Sequence, residues 1–175
     1  PFCDSKCFYC AFNSYTDKFH LKKKYMEALI VQLEFEIENY VKKYNKSIDT
    51  VFIGGGTPSA VPFIEYEKVF EIIHPYINSY TEITTEANPN SATIDWLKGM
   101  YSLGVNRVSF GVQSFNDEKL KLLGRSHSAN RAIKGIQDAK CIGFNSINCD
   151  IIYGVDGDDI NSLKKDFDII SKLPI

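Results

Sequence analysis

No run of apolar residues in this sequence approaches the ~18 that a membrane-spanning helix needs. Ala28 to Val31 is typical of the short runs present. No secretory leader is visible after Pro1. There is no basic excess, since the formal net charge is −2. That excludes the broad positive field by which nucleic-acid binders hold phosphates. Lys22-Lys23-Lys24 and Lys42-Lys43 read as solvated helix surface. A nucleotide P-loop of the G-x4-G-K-[ST] type is missing. So is any Ser/Pro/Gly-rich linker or low-complexity tract, and residues 1–175 read as one domain. Cysteines number 5, an odd count that suits no disulfide framework in this composition. Clustered thiols without a leader point to a reducing, cytoplasmic compartment.

What is present starts with those thiols. Cys3, Cys7 and Cys10 stand in a C-x3-C-x2-C spacing, while Cys141 and Cys149 lie far away. Thiolates on one short loop can converge on one inorganic centre. A structural zinc site is closed by four protein ligands. A cubane iron–sulfur cluster held by three cysteines keeps one iron open to another molecule. Both a structural metal site on an α/β scaffold and such a cluster are compatible with the spacing. Phe8 and Tyr9, between the cysteines, are placed to shield a cluster from water.

Behind the loop, helix and strand patterns alternate. Tyr25, Leu29, Leu33, Ile37 and Val41 recur every four positions and predict an amphipathic helix from Leu21 to about Lys43. Strands are expected at Thr50–Ile53, Thr81–Glu86, Arg107–Val112 and Phe144–Ile152. Helices are expected near 64–74, 93–103, 117–122, 129–140 and 160–172. Leu103-Gly104-Val105-Asn106 and Ile142-Gly143-Phe144-Asn145 are matching helix-to-strand junctions. Alternation of this kind implies parallel strands and right-handed crossovers. The expected fold is α/β, an arc of a (β/α) barrel with outer helices, truncated at both ends. A doubly wound open sheet is the alternative.

In a barrel the functional groups collect at the C-terminal strand ends. Here those ends carry Gly54-Gly55-Gly56-Thr57, Glu86, Gln113-Ser114 and Asp150. Together they predict a polar mouth over an apolar interior. Gly55, Gly56 and Thr57 suit close backbone approach to a ligand, or simply a tight turn. Glu86 suits a ribose diol or an ammonium group, or a helix cap. Arg125 suits a carboxylate, or plain solvent. Asp150, late in an apolar strand, calls for a ligand or an ion pair. Arg107 reads as a salt-bridged scaffold residue, and His127 as a capping or surface residue. Cys141 and Cys149 read as buried apolar groups.

With these residues in view, the sequence resembles the radical S-adenosylmethionine superfamily, within it the oxygen-independent coproporphyrinogen III oxidase-like group. Pro1-Phe2-Cys3, Cys7, Tyr9-Cys10, Gly54-Gly55-Gly56-Thr57-Pro58-Ser59 and Glu86-Ala87-Asn88-Pro89 carry the resemblance. Arg107-x-Ser109-x-Gly111-x-Gln113-Ser114-Phe115, Leu123-Gly124-Arg125-x-His127 and Asp150-x-Ile152-Tyr153-Gly154 complete it. The resemblance implies a [4Fe–4S] cluster on Cys3, Cys7 and Cys10. It implies contacts to S-adenosylmethionine near Tyr9, Gly55, Gly56, Thr57, Glu86, Gln113, Arg125 and Asp150. An electron from the cluster would cleave the sulfonium to a 5′-deoxyadenosyl radical.

Two subgroups divide at one position. The coproporphyrinogen dehydrogenases, which decarboxylate porphyrinogen propionates, resemble C-x3-C-x2-C-x-C; here the last position is Phe12. That departure looks like the heme chaperone subgroup. It implies heme as cargo, an electron donor and a heme-acceptor protein as partners. Gly154-Val155-Asp156-Gly157 departs too, where relatives commonly carry Gly-Leu-Pro-Gly. Asp156 is expected to make that loop less rigid.

Overall fold

The computed structural model describes residues 1–175. Thr50–Ile53 (β1), Glu82–Ala87 (β2), Arg107–Gln113 (β3) and Ser146–Ile151 (β4) form one parallel sheet in the order β1-β2-β3-β4. Neighbours in space are neighbours in sequence, so every crossover advances the same way. Right-handed crossovers then carry the connecting helices over a single face. A doubly wound sheet reverses direction at a switch point, and this sheet does not. It is an arc of a (β/α) barrel.

The helices are Lys22–Glu36 (α1), Glu67–Ile73 (α2), Ile94–Ser102 (α3), Asp117–Leu122 (α4), Ala129–Ile142 (α5) and Ile160–Ile170 (α6). None is long and apolar enough to cross a membrane. Their starts are written locally. The side chains of Thr93, Asn116, Ser128 and Asp159 accept backbone N–H groups in the first turns of α3, α4, α5 and α6. Such caps contribute about 1 kcal/mol each. The two matching junctions form as expected: Gly104 (φ 106°) and Gly143 (φ 123°) take the conformation that ends a helix, and Val105 and Phe144 drop into the core. Asn106 then bridges back to the start of β2, accepting from Ile83 N and donating to Thr81 O.

Helix α1 departs from expectation. Regular α-helix stops at Glu36, and residues 37–42 continue as a wider turn. Lys43 N bonds Glu38 O at 3.3 Å and Lys46 N bonds Val41 O at 2.9 Å, each spanning five residues. A repeat of four drifts around a helix of 3.6 residues per turn; a wider turn suits Ile37 and Val41 on one side. Met26 and Ile37 are buried, whereas Tyr25 is exposed.

Strand alternation sets the two faces of the sheet. In β3, Val108, Phe110 and Val112 are fully buried, and a Cβ on Gly135 of α5 would lie 3.4 Å from the Phe110 ring. The apolar half therefore meets the helices, in a core cluster of 22 buried residues. The other half forms in-register polar rows: Thr84, Arg107 and Ser146, then Glu86, Ser109 and Asn148. Asn148 Nδ2 donates to Ser109 Oγ at 2.9 Å, and Arg107 Nη1 to Thr84 Oγ1 at 3.3 Å. The concave face is thus polar below its mouth as well, not apolar as expected. Phe52, in register with Thr84 and largely exposed, is the apolar exception on this face; the buried apolar residues of the strands meet the helices. Arg107 forms no salt bridge.

A buried polar network locks the end of β3 to α6. Asp166, 3% exposed, accepts from Ser114 Oγ at 2.9 Å and Phe115 N at 2.7 Å. Lys119 Nζ lies 4.0 Å from Asp166 and 2.7 Å from Asp158. Asp158 in turn accepts from Gly154 N and Val155 N. Asp158, not Asp156, shapes the Gly154–Gly157 loop, since Asp156 is exposed. Replacing Asp166 with Ala strands a buried N–H and a hydroxyl and weakens the compensation of Lys119. The expected loss is about 3 kcal/mol, against less than about 0.5 kcal/mol for exposed Asp168→Ala. Urea denaturation of the two variants measures the difference.

Candidate functional site

The cysteine loop is fastened at both ends. At its base Cys3 N bonds Tyr15 O at 3.2 Å and Tyr15 N bonds Pro1 O at 2.7 Å. Near its tip Phe8 N bonds Leu123 O at 3.2 Å, just past α4. Between them Lys6 Nζ donates to Phe12 O and Ser14 Oγ at 2.6 and 2.9 Å. The base rests on the glycine turn after β1. A Cβ on Gly56 would come within 2.8 Å of the Pro1 and Phe2 backbone, so only glycine fits there. On Gly54 a Cβ would meet the Phe52 ring at 2.5 Å and Glu86 Oε2 at 3.1 Å. Gly55 takes φ 114° and sends its N–H to Glu86 Oε2 at 3.2 Å.

One cleft collects the residues that the resemblance assigned to the cluster and to S-adenosylmethionine. Cys3, Cys7, Tyr9, Cys10, Gly55, Gly56, Thr57, Glu86, Gln113, Arg125 and Asp150 all line it. It also takes in Lys6, Asn88, Ser109 and Phe12. Ser109 had a sequence signal that strand-end reasoning passed over: it shares a strand face with Gly111. Gln113 falls on the same face by alternation. Beside it the β3–β4 register slips between Phe110 and Gln113, and Gln113 takes φ 74°. A bulge and a strained conformation thus sit at the site.

Three expectations need correction. Asp150 is exposed in the cleft rather than buried, with Asn148 Nδ2 at 3.1 Å from its carboxylate. It lies on the polar face of β4, so no apolar burial acts on it. Phe8 is 81% exposed and leans on Gly124, so it shields no thiol. Cys141 is exposed on α5, whereas Cys149 is half-buried and its thiol is pushed up to about 11 by burial.

The thiols have partners drawn from distant parts of the chain. Cys3 Sγ lies 3.2 Å from Thr57 Oγ1. Arg125 Nη1 donates to Cys7 Sγ at 3.2 Å and lies 3.5 Å from Tyr9 Oη, while Nη2 donates to Gly111 O at 2.5 Å. Burial holds the Glu86 carboxyl above its ordinary range, opposed by the Gly55 N–H and reinforced by Asp150. Burial also pushes the Tyr9 phenol up to about 12, against the pull of Arg125.

The donor set fits a cluster. Cys3, Cys7 and Cys10 line the one cleft, and their donors are soft sulfur. The model for the radical SAM superfamily matches residues 1–170.

The chain belongs to the radical SAM superfamily.

Among curated relatives, the heme chaperone HemW of Bacillus subtilis is 34% identical over 168 residues, covering 94% of this chain and 43% of that protein. HemW of Haemophilus influenzae is 36% identical over 159 residues, covering 89% of this chain and 42% of that protein. The chain thus spans less than half the length of these relatives. Among solved structures, the coproporphyrinogen III oxidase HemN of Escherichia coli, a radical SAM enzyme, superposes with a TM-score of 0.83 at 26% identity. It covers 98% of this chain and 40% of that one. An archaeal Elp3 from Methanocaldococcus infernus shares the fold, with a TM-score of 0.60 at 24% identity over 79% of this chain and 37% of that one. The radical SAM core is thus a cluster-and-S-adenosylmethionine scaffold, and its sequence affinity is to the HemW subgroup of the HemN-like group.

His127 is a residue the sequence placed at the surface but the fold buries. It is 4% exposed, Nε2 lies 3.0 Å from Val112 O, and Nδ1 has no partner. A loop histidine two residues after Arg125 gives no sequence sign of this. Burial, then the Arg125 charge, depresses its pKa to about 4, partly offset by the Val112 carbonyl, with Asp117 raising and Arg131 lowering it. The unfolded chain binds this proton near the ordinary value of 6.5 and the folded chain only near 4. Its contribution to stability is therefore complete above about pH 6.5 and is lost as pH falls toward 4. His127→Gln keeps a donor for Val112 O and removes the titration. Urea midpoints from pH 7 to 4 should fall less steeply for the variant than for the parent protein.

Proposed function

We propose that this chain is the radical SAM core of a heme chaperone, which binds heme and passes it to an acceptor protein. The observation that carries this reading is Phe12. It lines the cleft at 63% exposure, at the position where the dehydrogenases resemble a further cysteine. The likeness to HemW proteins supports the same reading. Cys3, Cys7 and Cys10 are the proposed cluster ligands. The bound cluster supplies the electron that cleaves the sulfonium of S-adenosylmethionine.

This chain's residues then divide the work. Glu86, fixed by the Gly55 N–H, offers its free oxygen to a ribose diol or ammonium. Asp150 adds a second carboxylate on the neighbouring polar row. Gly55 and Gly56 let the ligand approach the backbone. Arg125, with Gln113 beside it, faces the carboxylate of the same ligand. Tyr9 stays a neutral donor, because burial holds its proton on. An electron donor and an acceptor protein belong to the reading as partners, and the cytoplasm as its compartment.

A second reading has its own support. The backbone likeness to HemN suits an oxygen-independent coproporphyrinogen III dehydrogenase. The full-length protein, reconstituted anaerobically, separates the two. Stoichiometric heme binding without porphyrinogen turnover is expected; conversion of coproporphyrinogen III to protoporphyrinogen IX sinks the chaperone reading.

The ligand assignment has a simpler test. Cys7→Ala should abolish [4Fe–4S] assembly, read by iron and acid-labile sulfide, and leave the helical circular dichroism largely intact. A full cluster in that variant would mean that other ligands hold it.

A further inference from the structure

Arg125 is a half-buried guanidinium with no carboxylate in salt-bridge range. Its Nε is buried and without a hydrogen-bond partner. Nη2 is held by Gly111 O, which fixes the plane of the group, and Nη1 is thereby aimed at Cys7 Sγ at 3.2 Å. A desolvated cation is costly without an anion nearby. Of the two acceptors near Nη1, Cys7 Sγ at 3.2 Å is closer than Tyr9 Oη at 3.5 Å, and the sulfur is the one that becomes an anion on ligating a cluster. Thr57 stands in the same relation to Cys3, at 3.2 Å, but with a neutral hydroxyl. Cys10 receives no side-chain donor. Its hydrogen bond runs from its own N–H to Cys7 O at 3.2 Å, closing the turn. The cysteine set is therefore asymmetric, with one charged donor, one neutral donor and one bare sulfur.

We propose that Arg125 and Thr57 set the reduction potential of the cluster by donating hydrogen bonds to the thiolates of Cys7 and Cys3. Both are positioning residues that act through the ligand sulfurs. The inference rests on the cluster reading above. A donor to a ligand sulfur draws electron density off it and favours the form with one more electron, as does a nearby positive charge. Reduction adds one electron from the donor protein to the cluster, so each interaction raises the midpoint. The charged donor contributes more than the neutral one. Arg125 thus has a role before S-adenosylmethionine arrives, separate from any contact with that ligand's carboxylate.

The test uses the full-length protein, reconstituted anaerobically and without S-adenosylmethionine. Iron and acid-labile sulfide are measured first; their absence from the parent protein would defeat the cluster reading itself. Midpoints are then read by redox titration with electron paramagnetic resonance of the reduced cluster. Arg125→Gln should shift the midpoint to more negative potential at full cluster content. Thr57→Val should shift it the same way by less, while Thr57→Ser, which keeps the hydroxyl, should match the parent. A midpoint unchanged in both Arg125→Gln and Thr57→Val overturns the proposal, as does a positive shift. If Arg125→Gln does not assemble a cluster, the Thr57 pair decides: a negative shift in Val but not in Ser supports sulfur tuning, and equal midpoints overturn it.

Discussion

The site depends on one close approach, the backbone of Pro1 and Phe2 lying against Gly56. No side chain at Gly56 would allow it, because a Cβ there would overlap the Pro1 and Phe2 backbone. That contact seats the base of the cysteine loop on the C-terminal edge of β1. From there Cys3 reaches Thr57, and the loop's far side reaches Leu123. Three short segments drawn from a span of more than a hundred residues thus become one wall of a cleft. The opposite wall is the polar face of β2, β3 and β4. Without the glycine the thiols would remain on a loop, but not over the sheet.

The sheet itself is built by a division of labour within each strand. Apolar residues of β3 face the helices and are fully buried, while Arg107, Ser109 and Gly111 face the concave side. An ordinary closed barrel fills its interior with branched apolar side chains. Here the interior face offers hydroxyls, amides and charges, which suits a polar ligand lying along the strands. The cost of one strained residue, Gln113, is met nearby. Ser114 and Phe115 are gripped by Asp166 of α6, so the bulge is held from behind by a buried network.

Electrostatics around the thiols follows from that layout. Arg125 lacks a carboxylate partner and turns to a sulfur and a carbonyl. Its charge also acts on the neighbouring Tyr9 and His127, lowering the pKa of each while burial raises one and lowers the other. Cys7, Tyr9 and His127 are thus tied to one guanidinium. Glu86 and Asp150 form the acidic side of the same cleft, and the Asp150 charge helps to hold the Glu86 carboxyl above its ordinary range.

Much of this was legible from the chain alone. The C-x3-C-x2-C spacing, the glycine turn and the polar strand ends pointed to residues that line one cleft, because each is a local pattern with a local physical cause. The paired glycine junctions are local in the same sense. What only the tertiary structure decided is long-range. The order β1-β2-β3-β4 chose barrel over doubly wound sheet, since pairing depends on packing between distant strands. The burial of His127, the exposure of Asp150, the bulge beside Gln113 and the pairing of Arg125 with Cys7 depend on neighbours far away in sequence. A residue's type states which interactions it can make, and only the fold states which partner is within reach.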